Sequence, residues 1–454
     1  MMDRKIAIYL LRFSLILLIG AVVFGVVAAF VFIDTGPLGK TFPFRNLRPL
    51  HVSSAVFWIL TAAAGSVLFF IDEATGSQNP NYKISSWYLW VWIIAVLSVL
   101  VSFFLSKFGG REYWEFPPLL ALPILLAWTL FAIRIIRSVR NFRGKWPVYL
   151  WMWVTGVIFF MLTYTEANLW LLPWVRNNII RDITIQWKSN GSLVGSWNMM
   201  VYGTGIYLMC KISGDDSTAY SRQSYFFYFL GLTNLLFNWG HHTYLVPAAP
   251  WIQDVSYIIS MTEWIIFLNI IRNWQKTVSI VMRHKNLLAY KFIFASEIWV
   301  FLNLLLALFM SIPAINVYTH GTHITVAHAM GTTIGINTML LMASVFYILS
   351  TFVEWTKRAL IVIHISFWTI NIALFVFWLS LIAAGIVKGY YSATVPGQNF
   401  QLMMSQTMPY MHVFAWSGLV LMTGLTTLAI MGLRGSYAFK AKASAGARAL
   451  KHEN

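Results

Sequence analysis

Six histidines set the chemical problem. His51, His241, His242, His320, His323 and His328 each fall at or beside the same end of an apolar run long enough to cross a bilayer. Imidazole is the usual neutral protein ligand for iron and copper. Polar groups in a membrane-spanning segment are costly, so their placement carries information. One such histidine alone reads most simply as an interfacial group hydrogen-bonded to water. Six at a common depth point instead to ligation of a metal or a haem.

Spacing sharpens the reading. His328 and Met330 are two residues apart, which on a helix sets them about 200° apart around the axis. One helix can therefore serve two haems, one on each side. Haem iron accepts an axial histidine or methionine, and methionine raises the reduction potential relative to a second histidine. Met330 by itself is also an ordinary membrane-core residue. Asn198 and Tyr202 are one turn apart and share a helix face. They can aim an amide and a phenol at a metal held by His241 and His242. Equally, Asn198 can be polar glue between helices. Both readings stand at this point.

The elements that must position these groups follow from composition. Of 454 residues, 59% are hydrophobic and 10% charged, against about 25% charged in a soluble domain. Apolar runs recur near 6–33, 51–71, 86–107, 116–138, 146–168, 191–213, 223–240, 255–272, 288–312, 322–352, 360–387 and 405–433. Backbone groups in lipid must pair within their own segment, and the alternation of a membrane barrel is absent. The expectation is an all-α polytopic bundle of about twelve transmembrane helices, one domain over 1–454, with 438–454 a disordered tail.

The net charge of +17 does not signal nucleic acid. Arg134, Arg137, Arg140, Arg143 and Lys145 fill one connection, and Arg272, Lys276, Arg283, Lys285 and Lys291 another. Lys357, Arg358 and the tail residues Arg434, Lys440, Lys442, Arg448 and Lys451 lie on the same side when twelve helices are threaded. The connections 241–254 and 313–324 carry no Lys or Arg. This is the positive-inside asymmetry, so both termini are expected in the cytoplasm. Cys210 is the single cysteine, which excludes a disulfide framework and a c-type haem attachment in this chain.

The stretches Arg48-Pro-Leu-His51, Gly110-Arg-Glu-Tyr-Trp-Glu115, Gly240-His-His-Thr-Tyr244, Glu263 and Tyr318-Thr-His-Gly-Thr-His-Ile-Thr-Val-Ala-His328 occur in that order. Together they resemble the large membrane subunit of cytochrome c-dependent nitric oxide reductases, within the haem–copper oxidase superfamily. The resemblance implies a twelve-helix bundle with a low-spin haem b, a high-spin haem b and a non-haem iron (or copper). By the same resemblance His51 is an axial ligand of the low-spin haem, His328 the proximal ligand of the high-spin haem, and His241 and His242 metal ligands. Glu112 and Glu115 match acidic residues near a bound calcium, and Glu263 matches a buried carboxylate for proton delivery. A membrane-anchored cytochrome c subunit is the implied electron donor, with quinol as the alternative, and the bacterial inner membrane the implied location.

The chain departs from that family at three places. Met330 stands where the family has a second histidine, Asn198 and Tyr202 stand where it has metal-ligating histidine and glutamate, and Ile206 replaces a further glutamate. Met330 then becomes the expected sixth ligand of the low-spin haem, and Asn198 a weak third metal ligand. The oxygen-reducing branch of the superfamily carries a tyrosine four residues after a metal-ligand histidine, which Tyr202 echoes without that histidine. Reduction of nitric oxide to nitrous oxide is the leading expectation. Nitric oxide dismutation or oxygen reduction at the altered site is the second, and a non-catalytic haem protein for electron transfer or gas sensing the third. A transporter is disfavoured because no inverted repeat is visible.

Overall fold

The computed structural model describes residues 2–452 apart from 35, 78–81, 248, 260–261 and 395–398, and leaves out the side chains of Met2, Thr262, Glu263 and everything from Lys440 onward. The helices that build the bundle are α1 (Met2–Ile33), α2 (Phe44–Thr75), α3 (Tyr82–Phe104), α4 (Ala121–Val139), α5 (Val148–Glu166) and α6 (Ile179–Ser213). They continue with α7 (Arg222–Phe237), α8 (Thr262–Thr277), α9 (Leu287–Ser311), α10 (His323–Ser350), α11 (Lys357–Thr394) and α12 (Phe400–His452). Among the described residues ten candidate spans meet the length and hydropathy needed to cross a membrane. The helices in none of them are α7, with 16 residues, and α6, which carries Asn198, Thr204 and several glycines in its apolar half; α8, itself 16 residues, belongs to the longer span Pro250–Thr277. No strand occurs among the described residues beyond an isolated bridge between Arg111 and Trp114. The chain is an integral membrane protein, and each expected apolar run has its helix. The disordered-tail expectation for 438–454 falls almost entirely on side chains outside those described.

Burial ranks the helices. Of the most apolar window, 94% is buried in α2 and 83% in α10, against 33% in α1 and 39% in α3. His51, His328 and Met330 thus lie on the two most buried spans, and α1 and α3 are the most exposed. Polar pairs tie α2 to α10: Trp58 donates to Thr338 at 3.0 Å and Ser344 to Ser66 at 2.8 Å. In lipid, where apolar contact alone does not drive helix association, such bonds and close packing fix the register. α1 packs along α2, α11 along α12, and α12 returns against α1, which closes the ring.

Two features differ from the sequence reading. The apolar run places α6 over 191–213, but the helix begins at Ile179, where Asn178 caps it by accepting from the Arg181 amide at 3.0 Å. The added turns are amphipathic, with Arg181, Asp182 and Lys188, so hydropathy alone does not reveal them. α10 is not a uniform helix: its middle, Gly331–Thr338, is π-helical between the α-helical segments His323–Met330 and Met339–Ser350. Within it the Thr338 hydroxyl donates to the Thr333 carbonyl at 2.8 Å, a side-chain bond inside the stretch.

Charges gather at the two ends. At one, Arg134 reaches Asp72 at 2.6 Å and Asp3 at 3.5 Å, and Lys211 reaches Glu73 at 2.6 Å. At the other, Arg48 pairs with Glu112 at 2.9 Å and with Glu115, and Arg111 pairs with Asp182 at 2.7 Å.

Candidate functional site

An internal cavity of about 290 Å³ runs between α2, α6, α7 and α10. Its lining includes His51, Met330, His328, His241, His242, Asn198 and Tyr202. Of the residues that the sequence put forward for haem or metal, His51, His241, His242, His328, Met330, Asn198 and Tyr202 are therefore on one wall or another of a single space. Glu263 lies outside the described side chains, although its neighbour Trp264 lines the cavity. His320 and His323 are not in the lining. They sit where the chain turns into α10, so the six-histidine convergence narrows to four.

The imidazoles are held in ways that suit ligation. His51 is near the start of α2, and its Nδ1 lies 2.8 Å from the Ala21 carbonyl. A carbonyl only accepts, so Nδ1 carries the proton and Nε2 keeps its lone pair. A Cβ at Gly25 would lie 2.6 Å from that Nδ1, so glycine there is what allows α1 to approach the ring. His241 and His242 are not on α7 itself but on the 3-10 turn Asn238–Thr243 that follows it. The turn is pressed against the short helix Pro250–Ile259: a Cβ at Gly240 would lie 2.9 Å from the Ile252 carbonyl oxygen. His241 Nδ1 is 3.0 Å from the Asn238 side-chain oxygen, which again leaves Nε2 available. The two rings lie 4.1 Å apart, and His242 stacks on Trp187 at 5.0 Å. His328 stacks near Trp264 at 5.9 Å, and its buried Nδ1 has no hydrogen-bond partner among the described residues.

These observations fit what a haem requires. The space is walled mainly by apolar and aromatic side chains such as Trp58, Trp197, Trp264 and Met152, which a porphyrin requires. Imidazole nitrogens with available lone pairs enter from opposite helices. The metal side is poorer: among the described residues no group of three His, Cys, Asp or Glu gathers as a metal site, and His241 with His242 is the histidine pair that the cavity lining offers.

Asn198 and Tyr202 both face the cavity from α6. The Asn198 side-chain oxygen accepts from Asn337 Nδ2 at 3.0 Å, which is the helix–helix bond that the sequence allows as one of its two readings. The Tyr202 ring is buried and stacks on Phe267 at 4.9 Å. Glu112 and Glu115 share the Arg48 guanidinium at the mouth of the bundle. Tyr113 between them adopts a φ of 70° and lines the cavity. Burial, reinforced by the Glu112 charge, pushes its phenol up to about 12, so it stays protonated.

Sequence reasoning missed Asn337, Asn303, Asn238 and Trp187. Asn303 donates to the His328 carbonyl at 3.0 Å and to Thr332 at 2.8 Å, holding the start of the π-helical stretch. For Asn303 and Asn337 the available signal was an amide inside an apolar helix, which is expensive unless paired.

The model of the family described as Cytochrome C and Quinol oxidase polypeptide I matches residues 5–420. A nitric oxide reductase subunit from Stutzerimonas stutzeri is 23% identical over 429 residues, covering 89% of this chain and 88% of that protein. Cytochrome c oxidase subunit 1 of Rhodobacter capsulatus is 20% identical, covering 79% of this chain and 69% of that protein. A cbb3-type cytochrome c oxidase subunit of Stutzerimonas stutzeri is 21% identical, covering 76% and 75%. Among solved structures, a haem–copper terminal oxidase dimer determined by cryo-electron microscopy superposes with a TM-score of 0.77 at 14% identity, covering 96% of this chain and 84% of that one.

Proposed function

Because the chain belongs to the cytochrome c and quinol oxidase polypeptide I family and is an oxidoreductase of the haem–copper type, we propose that it reduces nitric oxide to nitrous oxide. Two nitric oxide molecules, two electrons and two protons give nitrous oxide and water. The observation that carries this is the single cavity that collects His51, Met330, His328, His241 and His242. The 23% identity to a nitric oxide reductase subunit over most of both chains supports the choice among the family's reactions.

In this reading His51 and Met330 hold a low-spin haem b, His328 holds a high-spin haem b, and His241 with His242 hold a non-haem iron or copper. When bound, the haem and metal supply the coordination sites for nitric oxide and carry its electrons. The chain does the rest. The apolar walls keep bulk water from the reacting gas, the Ala21 and Asn238 acceptors fix the imidazoles in the ligating tautomer, and Glu263 delivers protons. Glu112 and Glu115, already neutralised in part by Arg48, hold calcium at the mouth. A membrane-anchored cytochrome c subunit donates electrons, with quinol as the alternative, in the bacterial inner membrane with both termini cytoplasmic.

A second reading has one observation in its favour: Tyr202 is buried on the cavity wall, where a phenol can supply an electron and a proton. It assigns the site to nitric oxide dismutation or to oxygen reduction. The test is turnover of the purified complex with metal and haem analysis. Nitrous oxide formed with external reductant, two haems and one further metal per chain are expected. Oxygen evolved from nitric oxide without reductant would establish the second reading, and two haems with no further metal would move the protein to electron transfer or sensing.

Met330 gives a separate prediction. Met330→His should lower the midpoint potential of the low-spin haem in a potentiometric titration, because a second imidazole favours the ferric state relative to a thioether. An unchanged potential would mean that Met330 is not an axial ligand.

A further inference from the structure

We propose that Asn198 is a hydrogen-bond donor to the gas bound in the cavity, and that Asn337 is the positioning residue that keeps it from acting as a metal ligand. The proposal rests on the reading above only in placing a haem at His328.

The amide of Asn198 has one oxygen and one NH2 group. Its oxygen is taken by Asn337 Nδ2 at 3.0 Å. Asn337 is fully buried and Asn198 nearly so, so this bond sits in a low-dielectric interior where it strongly fixes the amide plane. With the oxygen turned to α10, the NH2 group is the part of Asn198 left for the cavity that its residue lines. An amide NH2 donates and cannot ligate a cation.

The opposite arrangement, with Asn198 donating and Asn337 accepting, is the one a metal ligand needs. It is worse for Asn337. As observed, the buried Asn337 oxygen has no partner among the described residues while its NH2 is used. Reversed, the oxygen would be satisfied and both hydrogens of its NH2 would be buried without acceptors. Buried carbonyls lacking a partner are tolerated more often than buried N–H groups lacking one.

The backbone explains why Asn337 is there. It lies in the π-helical stretch of α10, Gly331–Thr338. That stretch is pinned at its start by Asn303 on the His328 carbonyl and Thr332, and at its end by Trp58 on Thr338. The wider turn rotates everything after Met330 about the helix axis, and this brings Asn337 onto α6. The same helix segment thus sets the His328 ring at one end and the Asn198 amide at the other.

A donor at this place stabilises negative charge developing on the oxygen of the substrate, the role of preorganised N–H groups at an oxyanion. Nitric oxide acquires such charge as it is reduced.

The probe is carbon monoxide bound to the fully reduced protein, read by its C–O stretch, beside metal content by mass spectrometry. A nearby donor draws electron density into the C–O antibond and lowers the frequency. Asn198→Leu and Asn198→Asp should each raise it, since neither side chain donates when the aspartate is ionised, and metal content should stay at the wild-type value in Asn198→Leu. Turnover should fall about 10²-fold in Asn198→Leu and about tenfold in Asn337→Leu, where the amide is free to rotate. Loss of metal in Asn198→Leu with retention in Asn198→Asp would make Asn198 a ligand and overturn the proposal, as would an unmoved C–O stretch. If Asn198→Leu does not assemble, the nearly isosteric Asn198→Asp carries the stretch comparison. A wild-type protein that makes no nitrous oxide but shows the shift keeps the donor and loses only the reaction.

Discussion

Replacing His241 or His242 by leucine is expected to empty the non-haem metal site and suppress nitric oxide turnover, while both haems remain. The site has little redundancy. The positions on α6 that would complete it are Asn198, whose oxygen is held by Asn337, and Tyr202, buried against Phe267. Loss of a mere outer partner of a ligand costs about 10–100-fold in metal affinity or activity, so loss of one imidazole of a pair should cost at least ~10²-fold in both. Metal analysis, a haem assay and nitrous oxide detection read the three quantities separately. Asn238→Ala should give a weaker version of the same defect, because it frees His241 Nδ1 while leaving the ligand in place. Wild-type metal content in both leucine variants would place the metal elsewhere. Loss of a haem would reassign the pair to haem ligation.

What the sequence makes legible follows the energetics of lipid. Apolar runs declare membrane helices because an unpaired backbone cannot exist there, and histidines stand out because few polar groups are tolerated. That is why His51, His241, His242, His328 and Met330 can be named from sequence before their common cavity is seen. His320 and His323 mislead because a residue at a helix start shares a depth with the site without facing it. The amphipathic beginning of α6, the 3-10 turn under His241 and the π-helical stretch of α10 are not legible. Each depends on a contact between distant segments: Asn178 capping next to the Arg111–Asp182 pair, Gly240 against Ile252, and Asn303 with Trp58 on either end of Gly331–Thr338. A period of 3.6 residues carries no trace of an inserted π turn until the partner that selects it is known. Asn198 is open on sequence grounds for the same reason, since its bonding is decided by Asn337, 139 residues away.

Arg134→Met should lower the stability of the bundle by about 3–5 kcal/mol, the usual cost of breaking a buried ion pair from one side, without altering the haem spectrum. On sequence alone Arg134 is one of the basic residues that orient the protein, yet its side chain is only 2% exposed. It grips Asp72 through both carboxylate oxygens, at 2.7 and 2.6 Å, contacts Asp3, and donates to Ser138, which in turn donates to Asp72 at 3.0 Å. The cluster joins the start of α1 to the ends of α2 and α4, at the end of the bundle opposite His51. Asp3 and Asp72 are 5% and 22% exposed, so removing the guanidinium leaves one carboxylate almost fully buried and another partly so. Asp3→Asn combined with Asp72→Asn in the Arg134→Met background should recover part of the loss, because the stranded charges are what the single substitution leaves behind. Thermal unfolding of the detergent-solubilised protein, followed by tryptophan fluorescence beside the haem bands, separates the two effects. An unchanged unfolding temperature in Arg134→Met would show that the aspartates find water or protons at no cost and that the cluster does not hold α1 to α2 and α4.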